Sequence, residues 1–214
     1  MLTLVTGALA GLVHVVTGPD HLAAVAPLAA VDRQRGWLAG WTWGVGHASG
    51  VVVVAALAVL LRGVLPPIET LSAWSERVVG VALIAIGFWA FQRSLRRQPP
   101  PRGREHRHAD VTGPHVSRRG HAQTSFLMGI LHGVAGSSHF FGVLPALALP
   151  TTSAALLYIG AFGVGTVVAM TAFAAAVGWT GVHLDPQGGA HRGMMTATAA
   201  LAIAVGCVWL VGPA

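Results

Sequence analysis

Residues 11–28 read GLVHVVTGPDHLAAVAPL, which sets His14, Asp20 and His21 around a Gly18-Pro19 break in an otherwise apolar stretch. Imidazole nitrogens suit Ni, Co, Cu and Zn, and a carboxylate beside them supplies charge that a divalent cation would offset. Of the seven acidic residues, Asp32, Glu69, Glu76, Glu105, Asp110 and Asp185 fall in loops or at span edges, and only Asp20 lies well inside an apolar span. A carboxylate in hydrocarbon is costly, so its default reading is functional. The bland alternative is a cap for a second half-helix: Thr17 or Gly18 can cap it, Pro19 fits its first turn, and Asp20 then sits near the positive end of its dipole.

A second segment repeats the first. Residues 129–146 read GILHGVAGSSHFFGVLPA, and at an offset of 118 His14 falls on His132, His21 on His139, Gly11 on Gly129 and Pro27 on Pro145. With one inserted residue the match continues, WGVGH (43–47) on FGVGT (162–166) and ALIAIG (82–87) on LAIAVG (201–206). Chance likeness between Gly/Ala/Val-rich helices would pair glycines and valines, but not two histidines and a proline in register. The expected ligand set is therefore His14, Asp20, His21, His132 and His139. His47, in GVGHASG, joins it as a ligand or gate residue, with a packing role equally open because its repeat partner is Thr166. Ser137 and Ser138 replace Pro19 and Asp20, which makes the first repeat the charged half of the site.

The elements that must carry these residues cross a membrane. The 214 residues are 54% hydrophobic and only 9% charged, where a soluble domain carries about a quarter charged residues. Apolar runs of bilayer length, about 17–25 residues, fall at 2–30, 37–61, 72–93, 124–149, 152–178 and 192–212. Three spans per repeat is an odd number, so the second unit enters the bilayer upside down relative to the first. The fold expected is an all-α integral membrane protein of six transmembrane helices, built as two inverted three-helix repeats with broken helices one and four. The units are 1–94, an Arg/His-rich loop 95–123, and 124–214. Span one at 29 residues is too long for one straight crossing, and non-helical backbone at that depth survives only where protein or a watery cavity satisfies it.

All 13 basic residues are arginine. Loops after spans one, three and five hold eleven of them, and the opposite side holds Arg62 and Arg77. The positive-inside rule then puts the 95–123 loop in the cytoplasm and both termini outside, in a plasma (inner) membrane. The basicity describes orientation, and a nucleic-acid partner is not expected; whether copies form a homo-oligomer is open. Cys207 is the single cysteine, which excludes an internal disulfide or a multi-thiolate metal centre within these residues. The first seventeen residues lack a basic n-region and read as part of span one rather than as a signal peptide. His106, His108, His115 and His121 in the loop form either a metal-sensing patch or a solvated linker, the linker being favoured because neighbouring arginines repel cations. There is no HExxH, P-loop or G-x-S-x-G; no enzyme activity and no resident cofactor are expected.

HVVTGPDHLAAVAPL, WGVGHASG and LHGVAGSSHFFGVLPAL together resemble the nickel/cobalt transporter superfamily, nearest to its NicO and UreH-like membrane proteins. The resemblance covers all six spans. The related permeases carry His-x4-Asp-His in a transmembrane helix, a motif implicated in metal recognition, whose counterparts here are His14, Asp20 and His21, with five residues rather than four between the first two. Permeases generally have eight spans rather than six. The resemblance implies secondary transport of Ni²⁺ or Co²⁺ as substrate, through a mid-membrane His/Asp site between the repeats. Two rivals remain: an accessory protein for metalloenzyme maturation that docks a cytoplasmic partner through 95–123, and a membrane enzyme holding a catalytic metal.

Overall fold

A computed structural model describes residues 1–60, 68–96, 118–135, 139–184 and 189–211; for Arg33, 59–60, 68–75, 118–121, His139 and Phe140 it describes the backbone only. The described residues are all-helical. In chain order the helices are α1 (Leu2–Thr17), α2 (Pro19–Val31), α3 (Gly36–Leu60), α4 (Ile68–Leu95), α5 (Arg118–Ala135), α6 (Leu144–Leu147), α7 (Thr152–His183) and α8 (Gly189–Val211). A single 3-10 turn, Arg33–Arg35, joins α2 to α3, and a π-helical turn, His139–Val143, runs into α6.

Four described helices are long and apolar enough to cross a bilayer: α3, α4, α7 and α8. The pair α1 and α2 meets the same test as one broken span, bent by 74°. The bend falls at Gly18, which is extended at φ −91°, ψ 96° and closes α1 by donating its N–H to the His14 carbonyl at 3.0 Å. Pro19 then opens α2, where its missing N–H costs nothing and its fixed φ suits a first turn. Between the two caps that the sequence allows, Gly18 is the boundary residue. The Thr17 hydroxyl instead donates back to the Val13 carbonyl at 2.8 Å. At the other end of the chain's middle, Thr151 caps α7 by accepting from the Ala154 N–H at 3.1 Å.

Small residues decide the packing. In lipid, helices gain little from hiding apolar surface from each other, so close backbone approach through glycine carries the association. A methyl group at Gly11 of α1 would overlap the Phe162 carbonyl and the Thr166 amide of α7. One at Gly129 of α5 would overlap the Trp43 carbonyl and the His47 amide of α3. These contacts are equivalents of each other under the offsets of 118 and 119. So are Gly46 against Phe126 and Gly165 against Ala8, and likewise Gly87 against Ala199 and Ile203 and Gly206 against Gly80 and Ile84. The sequence register thus recurs in space. Helix α1 packs on α7, α3 on α5, and α4 on α8, so each half of the chain is held mainly by the other.

Candidate functional site

The bend at Gly18 delivers the polar side chains to the middle of the bundle. His14 sits in the last turn of α1, and Asp20 and His21 in the first turn of α2. His47 arrives from α3 and His132 from the last turn of α5. All five are buried, Asp20 at 1% and His21 and His47 at 0% exposure. The side chain of His139 and those of Ser137, Ser138 and the loop histidines lie outside the described residues.

Asp20 is the hinge of the cluster. Its Oδ1 accepts from His21 Nδ1 at 3.0 Å and its Oδ2 from His132 Nε2 at 2.7 Å. Both oxygens are therefore engaged by imidazoles, which partly offsets the cost of burying a carboxylate. With Nδ1 of His21 committed to Asp20, its Nε2 is left with its lone pair facing inward. A histidine held in this way by a carboxylate has a fixed tautomer and ring orientation, the arrangement that prepares imidazole for a metal.

Beyond Asp20 the histidines crowd together. Ring centroids of His14 and His21 lie 4.4 Å apart, those of His21 and His47 5.0 Å, and those of His14 and His47 5.5 Å. One ligand atom from each of His14, His21 and His47 falls within 4.8 Å of the others, and the same holds for Asp20, His21 and His132. His21 belongs to both groups. His21 Nε2 and both ring nitrogens of His47 are buried with no hydrogen-bond partner among the described residues. Buried polar atoms are rarely left so, and each such case calls for an explanation such as a bound ion.

Two aromatic walls that sequence reasoning missed complete the site. Trp43 stacks on His47 at 5.0 Å and 7° and lies 5.1 Å from His132. Phe162, its equivalent in the second half, lies 5.4 Å from His14. The signal was present, since Trp43 and Phe162 are aligned in WGVGH and FGVGT, one turn before His47 and Thr166. Their buried rings pack against the imidazoles.

Helices of this length and apolarity, with one carboxylate and four imidazoles sealed among them, define an integral membrane protein whose polar site is buried in its core. A family profile described as the cytochrome c biogenesis protein transmembrane region matches residues 3–208. Over 181 residues the chain is 30% identical to the urease accessory protein UreH of Bacillus sp. (strain TB-90), covering 82% of this chain and 75% of UreH. It is 35% identical over 179 residues to the chloroplast protein FOR GROWTH AND FERTILITY 1 of Arabidopsis thaliana, and 34% over 174 residues to FOR GROWTH AND FERTILITY 2. Those alignments take in 81% of this chain, yet 48% and 46% of the plant proteins, so the chain spans about half their length. The chain therefore belongs to this membrane family with its UreH-type relatives, in line with the likeness carried by its GPDHLAAVAPL segment. No solved structure matches it.

Proposed function

We propose that the protein is a secondary transporter of a divalent transition-metal cation, with Ni²⁺ or Co²⁺ as substrate. The observation that carries the reading is the trio of buried, unpartnered nitrogens on His21 and His47 beside His14. A cation held there takes nitrogens from His14, His21 and His47. Asp20 supplies the negative charge, orients His21, and draws in His132. His139 joins the set as the repeat equivalent of His21.

The reciprocal glycine contacts support the reading of two three-helix units inverted relative to each other, with six spans and a broken fourth helix around α5 and the π-helical turn. In such folds the substrate sits where the units meet, and transport rocks one unit against the other. The arginine distribution favours a cytoplasmic 95–123 loop and termini on the opposite face of a plasma membrane.

The name urease accessory protein, carried by one relative, favours a second reading in which the loop docks a maturation partner and nothing crosses. Metal flux into proteoliposomes decides between transport and docking. Flux should be abolished by His21→Ala and His47→Ala and survive deletion of 98–117. Flux unchanged in both histidine variants overturns the site, and absence of flux in the intact protein overturns transport.

A further inference from the structure

A cavity of about 210 Å³ opens at the end of the bundle where α4 finishes and α5 begins, the end that carries the 95–123 loop. Leu28, Ala39, Thr42, Trp89 and Ser125 line it, with Asp32, Arg35 and Arg93 at its rim. One helical turn deeper, a second void of about 10 Å³ is lined by Ala24, Trp43, Ile86, Met128 and His132. The two sets lie on the same four helices and advance together: Leu28 to Ala24 on α2, Ala39 to Trp43 on α3, Trp89 to Ile86 on α4, Ser125 to Met128 on α5. The deeper void has room for about one water, and it ends on His132, which already donates to Asp20. The two spaces lie in series along a column of residues that leads towards the histidine cluster, with Trp43 and Met128 lining the inner one.

Towards the other end of the bundle Ala146 and Tyr158 are buried, where Leu28 and Ala39 are half-buried. Under the repeat offsets Leu28 corresponds to Ala146, Ala39 to Tyr158, Thr42 to Ala161 and Ser125 to Gly7. Where the first half has the small Ala39, the second half has the larger Tyr158, whose backbone carbonyl lies so near Gly7 that a side chain there would not fit. The Tyr158 hydroxyl donates to the Phe141 carbonyl in the π-helical turn at 2.8 Å. Tyr158 belongs with Val143, Ala146, Ala155 and Phe162 to one buried apolar cluster.

From this asymmetry, and resting on the transport reading above, we infer that the column on the loop side is the open access path to the histidine cluster and that Tyr158 is the plug of the matching path on the opposite side. The molecule is then captured open to one face and shut to the other. A hydrogen bond to a carbonyl of the π-helical turn is a sensible latch, because opening that side requires the turn to move and the bond to break together. Exchange of the two arrangements would leave a cation at the cluster facing first one side and then the other.

Thiol accessibility tests this in a Cys207→Ser background, using an anionic, membrane-impermeant methanethiosulfonate on vesicles of both orientations. Asp110→Cys marks the loop side in each preparation. Thr42→Cys, Ser125→Cys and Leu28→Cys should react from the loop side, and Ala146→Cys from neither. Adding Tyr158→Phe should speed labelling of Ala146→Cys from the far side by about fivefold, the population change that one lost hydrogen bond supports. All three loop-side cysteines remaining inert, or Ala146→Cys reacting as fast as Thr42→Cys, overturns the proposal. Ni²⁺ should slow labelling of Ala24→Cys, one turn from His21. Labelling of Ala24→Cys that ignores Ni²⁺ removes the metal reading and leaves the path, whereas inert column cysteines in a protein that still binds Ni²⁺ remove the path alone.

Discussion

Asp20 Oδ2 and His132 Nε2 meet at 2.7 Å although 112 residues separate them in the chain. With His21 on the other oxygen at 3.0 Å, the carboxylate joins the two halves of the protein at their most buried point. That makes Asp20 a positioning residue first, with its charge available to a cation through the imidazoles it holds.

Removing that orientation should cost metal affinity without removing nitrogens. Asp20→Asn is expected to weaken Ni²⁺ binding about 10- to 100-fold, the range for a lost outer partner of a ligand, as read by calorimetry in detergent. Affinity falling no more than it does in a surface variant such as Asp32→Asn would show that Asp20 does not act on the site.

His47→Ala and His47→Phe together separate a ligand from a packing group. His47→Phe keeps ring stacking on Trp43 and removes both unpartnered nitrogens. The phenylalanine variant should fold as wild type and bind Ni²⁺ as poorly as the alanine variant. Retained binding in His47→Phe would assign this histidine to packing.

Gly18→Ala places a methyl group against Asp20 Oδ1, His21 Nδ1 and the His14 carbonyl. The side chains nearest the bend must then give way, so the hydrogen bond from His21 is the expected casualty. Binding of Ni²⁺ should fall while the protein still purifies as a folded species, and equal affinity in the variant would show that the bend tolerates a side chain.

The close glycine contacts predict a stability contrast. Gly11→Ala and Gly129→Ala drive a methyl group into backbone of the neighbouring helix, an overpacking that costs about 1–3 kcal/mol. Gly160→Ala meets nothing within 4 Å and should gain slightly from helix propensity. Melting temperatures in detergent should drop by several degrees for the first pair and hold or rise for the last.

Arg35, Arg93 and one carboxylate, Asp32, line the loop-side cavity. Two positive charges lower the local concentration of a cation there, an effect that salt screens. Arg93→Gln should therefore raise the apparent Ni²⁺ affinity seen from the loop side, more at low ionic strength than at high. An equal change at both salt concentrations would argue that Arg93 acts through its stacking over Trp89 rather than through its charge.

Much of this could be read before any coordinates. The Gly-Pro pair announces a break because glycine accepts the extended backbone and proline starts the next helix, and α1 and α2 part there. Gly11 with Gly129 and Trp43 with Phe162 share offsets in the sequence and make matching contacts in the structure, since close packing through glycine depends on small residues recurring at fixed spacing. The central place of His47 was harder to see. Its repeat partner is Thr166, and its place beside His21 follows from the way α3 lies against α2, which spacing along the chain does not give. The two-sided engagement of Asp20 was hidden for a similar reason, because local sequence supplies His21 but says nothing of which distant imidazole takes the second oxygen. The offset pairs Ala39 with Tyr158 in sequence, but spacing alone does not show how differently the two fill the space around them.

The interleaving of α1 with α7 and of α3 with α5 also imposes an order on how the protein is made. Asp20 leaves the ribosome more than a hundred residues ahead of His132, and α1 leaves long before the helix that covers it. Newly made first helices must therefore wait in the membrane with a carboxylate and a glycine-lined face that no neighbour yet covers. Completion of the chain, rather than of either half, is the event that seals the site, and products cut short before α7 would be natural targets for membrane quality control.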